Sequence, residues 1–245
     1  MTKDAKLSVN IVIPVYNEEK ELADSVMTLR EFLWAHLTDF HWHITIADNA
    51  STDRTLKVAK MLAKKNPDVL YVHLPQKGRG RAVKRVWAKD PADIHAYMDV
   101  DLSTDLKHFP PLVRSLTRGY DIAIGTRNAQ GSRVYGRSLL RTITSKTYIA
   151  LIKIFFWVHF SDAQCGFKAV TRRIVREIIP KIEDNAWFFD TELLICAEKQ
   201  GYRIYEEPVT WIDNPGSTVR VLKTAQGDLE GLKRLFFTQP WRKHV

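Results

Sequence analysis

The sequence predicts one α/β domain built on a mainly parallel sheet with helices flanking it, and three observations support this. Apolar runs rich in β-branched residues alternate with helical stretches along the chain, the pattern of repeated βαβ units. The apolar runs are continuous rather than alternating, as in strands buried on both faces. Polar clusters follow the runs, and in open parallel sheets ligands sit beyond the carboxyl ends of the strands.

The elements follow in order. Val9–Val15 reads as a buried strand, ended by Asn17-Glu18-Glu19. Glu19–Leu37 carries Leu22, Val26, Leu29, Leu33 and Leu37 at helical spacing. His43–Ala47 is a second strand, closed by Asp48 to Asp53, and Thr55–Lys65 a second helix. Val69–Leu74 is a third strand, and Gly78–Ala88 a helix that opens on glycines. Ile94–Val100 and Asp121–Gly125 are the fourth and fifth strands, the latter leading into Thr126-Arg127. Ser138–Phe160 is helical, basic in its first half and apolar nearly all round in its second. Either burial in the core or an interfacial position on a membrane accounts for that pattern. Its apolar stretch, Tyr148–Phe160, interrupted by Lys153, is too short to cross a bilayer as a helix, which takes about 20 residues. A further helix begins at Phe188-Phe189-Asp190. Four polar clusters thus fall on one sheet edge, which marks that edge as the active site.

Composition narrows the chemistry. The net charge is +9, and between Arg118 and Lys146 lie five arginines and one lysine against the single acid Asp121. Such a concentration favours an anionic ligand. Cys165 and Cys196 are the only cysteines, without the spacing of a zinc site or disulfide scaffold, so a reducing cytosol is expected. The residues MTKDAKLSVN show no apolar signal segment.

Asp99-Val100-Asp101 is the sharpest motif. In an extended segment alternate side chains point the same way, so the two carboxylates converge. Paired hard oxygens suit Mg²⁺ or Mn²⁺, with phosphate oxygens completing the shell. Lys77-Gly78-Arg79-Gly80-Arg81 lies at a strand-to-helix turn, where glycines, cations and a helix N-terminus favour phosphate, although the spacing is not that of a P-loop.

Ile13-Pro14-Val15-Tyr16-Asn17-Glu18-Glu19, Ala47-Asp48-Asn49-Ala50-Ser51-Thr52-Asp53 and Asp99-Val100-Asp101 together resemble the GT-A fold of family 2 glycosyltransferases. Asp162-Ala163-Gln164-Cys165-Gly166-Phe167-Lys168 narrows the resemblance to polyprenyl- or dolichyl-phosphate hexose synthases. The resemblance covers roughly residues 8–220 and implies a nucleotide-sugar part near 8–126 and an acceptor part near 127–220, with a helical tail over 221–245. It places Pro14, Tyr16, Glu18, Asp48 and Asp53 around the base and ribose of a UDP- or GDP-hexose, with Lys77 and Gly78 bordering the donor. Asp99 and Asp101 would hold the metal and diphosphate. Gln164 and Lys168 would lie on the acceptor side, and Arg141 with Ser145 resembles an Arg-x-x-x-Ser acceptor pair.

A phosphate acceptor is already a nucleophile carrying about −1.5 to −2 charges, so it needs arginines more than a general base. Arg127, Arg137, Arg141 and Lys146 fit that need. Asp101, Arg127, Arg141 and Asp190 are the expected catalytic set, with Asp190 and Glu192 positioning the sugar or holding Lys168. The chain departs from the family pattern at Asn49, at Ser103 and over Asp213–Ser217, which leaves glucose or another hexose open.

The implied activity is inverting, metal-dependent hexose transfer to a lipid phosphate by a protein peripheral on the cytoplasmic face of the membrane, with or without a separate membrane subunit. Nucleic acid is not an expected partner. A hydroxyl-directed transferase and a non-catalytic nucleotide-sugar or anionic-lipid binding module are the alternatives.

Overall fold

The computed structural model describes residues 6–213 and 221–242. In chain order it forms β1 (Ser8–Val15), α1 (Leu22–His36), β2 (His41–Asn49), α2 (Thr55–Lys65), β3 (Val69–Leu74), α3 (Arg79–Lys89) and β4 (Ile94–Met98). These are followed by α4 (Phe109–Leu116), β5 (Ile122–Thr126), β6 (Arg133–Tyr135), α5 (Leu139–Phe156), β7 (Phe167–Thr171) and α6 (Arg172–Glu177). The last elements are α7 (Phe189–Lys199), β8 (Ile204–Pro208), β9 (Thr210–Ile212) and α8 (Val221–Thr238).

Seven strands make one sheet in the order β3-β2-β1-β4-β7-β5-β8, and β6 pairs with β9 in a small second one. The large sheet is parallel except for β7, which runs antiparallel between β4 and β5. Because β7 is reversed, its entering loop, Asp162–Gly166, arrives at the edge where β1, β2, β4 and β5 end. A mainly parallel reading of the sequence accommodates this strand without locating it.

Period-two alternation along β1 divides the core. Val9, Ile11, Ile13 and Val15 pack with α1, α2 and α4, while Val12 faces the layer of α3, α6 and α7. The site is therefore built on a sheet covered on both faces. The expected C-terminal tail is packed into this body: Leu232 and Leu235 of α8 are buried, and Trp241 packs against Phe156.

α5 starts at Ser138, whose Oγ accepts from the Arg141 amide, and stops where Trp157 takes a left-handed conformation (φ 53°). Only Ile152 and Phe156 of α5 are buried. Leu139, Leu140, Ile143, Ile154 and Phe155 are exposed, and Trp157 is 81% exposed. The core reading holds for part of the segment, where Ile152, Phe156, Val158 and Phe160 join the core with Tyr148 and Ile149 packed against it, and not for the apolar residues left exposed. Among the described residues no helix is long and apolar enough to cross a membrane.

Candidate active site

The first two loops at the carboxyl edge are stitched together by short polar side chains. The Asn17 amide donates to Ser51 Oγ (3.0 Å), and the Thr52 amide donates to Asn17 Oδ1 (2.8 Å). Asp53 accepts from the Thr55 amide and hydroxyl (2.9 and 2.6 Å) just before α2, and from the Glu19 amide. Asp53, expected at the ribose, makes these local bonds and stays partly exposed at the edge. Asp48, expected at the base, is fully buried and lies 2.6 Å from Nδ1 of His73. His73 was not picked out from sequence. Its position at the carboxyl end of β3 was the only signal.

Pro14 is buried in β1. Tyr16 is half-buried, and the Lys77 ammonium stands 3.4 Å from its ring centroid. Asn49, where the family pattern has a second carboxylate, donates to the Val15 carbonyl (2.6 Å) and accepts from the Gly78 amide (3.0 Å). An aspartate could not donate to Val15, so this position serves to tie β1, β2 and the Gly78 turn together. At Gly78 a β-carbon would lie 2.5 Å from the Asn185 carbonyl, so the turn packs directly on the segment before α7.

Asp99 and Asp101 line one cleft with Ser103, Gly166 and Trp211. Their convergence is not that of an extended strand, because β4 ends at Met98 and the chain turns, with the Leu102 amide donating to the Asp99 carbonyl. Asp101 is exposed and accepts from the Ser103 amide (3.0 Å). Glu18 belongs to the same acidic group. Burial, then the charges of Glu21, Asp101, Asp53 and Asp99, push its carboxyl up to about 7.

The Arg79 side chain turns inward rather than toward the open edge. Its Nε and Nη2 donate to Asp99 Oδ1 (3.1 and 2.6 Å), and Nη1 donates to Asp190 Oδ2 (2.6 Å). The guanidinium lies 4.8 Å from the Tyr97 ring and 4.9 Å from that of Trp187. This corrects the expectation of a solvent-facing phosphate cation at Arg79.

The acceptor-side expectations separate. Lys168 is wholly buried and cannot touch an acceptor. Its ammonium donates to the carbonyls of Ala163 (3.1 Å) and Cys165 (2.6 Å) and pairs with Asp190 (2.9 Å). Asp190 does hold Lys168, and it also accepts from the Tyr97 hydroxyl. Glu192 does not hold Lys168: it is buried and paired with Arg234 (2.9 Å). Gln164 donates to Asp228 of α8 (2.6 Å).

Arg127 makes a two-pronged pair with buried Asp162 (2.8 and 3.0 Å) and lies 5.5 Å from the Trp211 ring. Arg141 pairs with Asp213 (2.6 Å). Arg137 is half-buried beside both and has no ion-pair partner among the described residues. Burial and the charges of Arg127 and Arg141 lower its proton affinity. Ser145 is partly exposed, one turn beyond Arg141 on α5. Lys146 is exposed. Of the Asp213–Ser217 departure, Asn214–Ser217 lie outside the described residues, as do Lys243 and His244 beyond Trp241.

The Arg127–Asp162 pair makes a pH prediction. Burial alone would raise the Asp162 carboxyl, but Arg127 outweighs it and holds it at about 2 against an ordinary 3.8. A depressed folded value contributes stability above the unfolded value, here about 2 kcal/mol, and that contribution is lost as pH falls from about 4 through 2. Denaturant unfolding of wild type and Asp162→Asn should therefore show a gap that narrows over this window. A constant gap would contradict the assignment.

Comparisons with known proteins give the family and the fold. The description "Glycosyl transferase family 2" belongs to the family whose profile matches residues 10–179. The chain is 32% identical over 225 residues to glycosyltransferase AglD of Haloferax volcanii, covering 91% of this chain and 36% of AglD. It is 30% identical to dolichyl-phosphate beta-glucosyltransferase ALG5A of Trichomonas vaginalis, covering 89% of this chain and 69% of that one. With the Saccharomyces cerevisiae dolichyl-phosphate beta-glucosyltransferase the identity is 28%, over 87% and 70%. Glucosyl-3-phosphoglycerate synthase of Mycobacterium tuberculosis, solved in complex with UDP, shares the fold with a TM-score of 0.68 at 18% identity, covering 94% of this chain and 80% of that one. With the family profile matched over residues 10–179, most of its length, the chain belongs to glycosyl transferase family 2.

Proposed function

We propose that the chain moves a hexose, with glucose the first candidate, from a UDP- or GDP-sugar to the phosphate of a polyprenyl or dolichyl carrier. The observation that carries this reading is the contrast between the two sets of charged residues. The carboxylates a hydroxyl acceptor would need as a base, Asp190 and Glu192, are buried in ion pairs. Of the arginines a phosphate acceptor would need, Arg127 lies against Trp211 of the cleft with Arg137 and Arg141 beyond it, three against the two carboxylates Asp162 and Asp213. The names of the dolichyl-phosphate relatives support the acceptor and the sugar.

The acidic residues fit a divalent cation in part. Among the described residues no three metal-binding side chains cluster, so Asp99 and Asp101 would supply two carboxylates and leave positions for diphosphate oxygens. Crystals of the mycobacterial synthase with Mn²⁺ and UDP support the same choice of ion. Bound there, Mg²⁺ or Mn²⁺ would neutralise charge developing on the departing nucleoside diphosphate.

The protein's own residues do the rest. Arg127, oriented by Asp162, and Arg137 bring the acceptor phosphate beside an anionic donor. A phosphate oxygen attacks C1 from the face opposite the diphosphate. The new C1–O bond forms as the old one breaks, and the diphosphate leaves with its electron pair, inverting the sugar.

α5 would carry the lipid. Its exposed apolar residues stand with Arg141, Lys146 and Lys153, and residues 139–160 contain no acid, a composition suited to an anionic bilayer surface. We place the chain peripherally on the cytoplasmic face of that bilayer.

The test is incubation with Mg²⁺ or Mn²⁺, polyprenyl phosphate and a panel of UDP- and GDP-sugars, followed by mass analysis of the lipid product. Lipid-linked hexose phosphate is the expected product, and transfer only to free sugars would reject the reading. Leu140→Asp with Trp157→Asp should weaken flotation with anionic vesicles and cut transfer to long-chain carriers roughly tenfold, a loss of about 1.4 kcal/mol. Transfer to a short soluble isoprenyl phosphate should hold. Equal losses on both acceptors would remove α5 from the lipid's path.

A further inference from the structure

Arg79 deserves a role of its own because of how completely its guanidinium is spent. Two of its nitrogens donate to one oxygen of Asp99, Oδ1, and the third donates to Asp190. The side chain is only 9% exposed, whereas Asp99 is 42% exposed, so the carboxylate looks out on the cleft while its cation sits behind it. The other oxygen, Oδ2, occupies space that a side chain at position 166 would fill: a β-carbon on Gly166 would lie 1.8 Å from it. The Asp99 amide also donates to the Gly166 carbonyl (3.1 Å), which fixes the turn from the opposite side. Asp99 is thus divided into an oxygen committed to Arg79 and a second, packed beside Gly166, to which no described residue donates.

A positive charge bonded to one oxygen of a metal-binding carboxylate repels a second cation and supplies part of the neutralisation that a metal would otherwise provide. Among the described residues Asp101 has no such partner, and it is exposed, so the two carboxylates are unequal. We propose that Arg79 is a positioning residue, a built-in counter-cation that presents Asp99 through Oδ2 alone and makes the divalent ion bind together with the nucleotide diphosphate rather than ahead of it. The diphosphate contributes the negative charge that Arg79 cancels. The inference rests on the metal assignment made above for Asp99 and Asp101.

The readout is metal binding without turnover. Free Mn²⁺ is followed by electron paramagnetic resonance during titration of the full chain, with and without UDP. Wild type should bind Mn²⁺ at least tenfold more tightly with UDP than without it. Arg79→Gln removes the charge and keeps a donor only at the depth of the arginine Nε, and should tighten nucleotide-free Mn²⁺ binding at least fivefold, shrinking the UDP effect. Arg79→Lys restores the charge and should return the wild-type pattern. Thermal melts of each variant establish that the protein titrated is folded, and if Arg79→Gln does not fold, Arg79→Met is titrated in its place with the same expectation. Nucleotide-free affinity that is unchanged or weaker in the charge-free variant, or equal in the charge-free and lysine variants, overturns the proposal. Absence of Mn²⁺ binding to wild type even with UDP, or binding that survives Asp101→Ala, would instead reject the metal site on which it stands.

Discussion

Asp101→Ala should reduce metal-dependent sugar transfer by at least about 10²–10³-fold, the loss that follows removal of a group stabilising charge in the transition state. The fold should barely notice. Asp101 is exposed, and its one described structural contact is the Ser103 amide, which water can replace. Surface changes of this kind usually stay within about 0.5 kcal/mol. Asp99→Ala is a less clean experiment, since it also strips Arg79 of a partner and leaves a nearly buried guanidinium half-compensated. The informative pair of measurements is initial rate against Mn²⁺ concentration and thermal melting, both on Asp101→Ala. Retention of full metal-dependent activity would show that the acidic cleft is not the metal site.

What the sequence revealed of this site follows from which interactions are local. The strand ends are local: β1, β2, β4 and β5 end within two residues of where the apolar runs end, so the edge carrying Glu18, Asp48, Asp99 and Arg127 was readable. The partners of those residues are not local. Arg79 meets Asp190 across 111 positions, and Arg141 meets Asp213 across 72, and no periodicity encodes such pairings. Lys168 was misplaced for a different reason, since the carbonyls it satisfies lie only three and five residues away. A lysine or aspartate in a motif has one appearance in sequence, whether it faces a ligand or satisfies backbone groups nearby. Antiparallel β7 escaped notice because five residues are too few to show direction. The exposure of α5 could not be read at all, since a helix apolar nearly all round is compatible with either a core or a bilayer surface.

Asp190 separates a structural from a catalytic reading of the second acidic motif, and its removal should have the larger effect on stability. Its carboxylate receives Arg79, Lys168 and the Tyr97 hydroxyl, and it is about 1% exposed. Burial alone would raise its proton affinity, but Lys168 and Arg79 reverse this and hold it ionised. Breaking a buried charge pair by deleting one partner typically costs about 3–5 kcal/mol, because the charges left behind stay desolvated. For a chain of this size that corresponds to a drop in Tm of roughly 10 °C or more. Asp190→Ala should therefore melt far below wild type, with Asp190→Asn between them because the amide can still bond Tyr97. Lys168→Met should also destabilise, and the double variant should be less destabilised than the two single losses summed, since the second change removes a charge that the first left unpaired. A catalytic base would behave differently. Asp190→Asn would then melt like wild type while losing nearly all turnover, and that result would return the hydroxyl acceptor to first place.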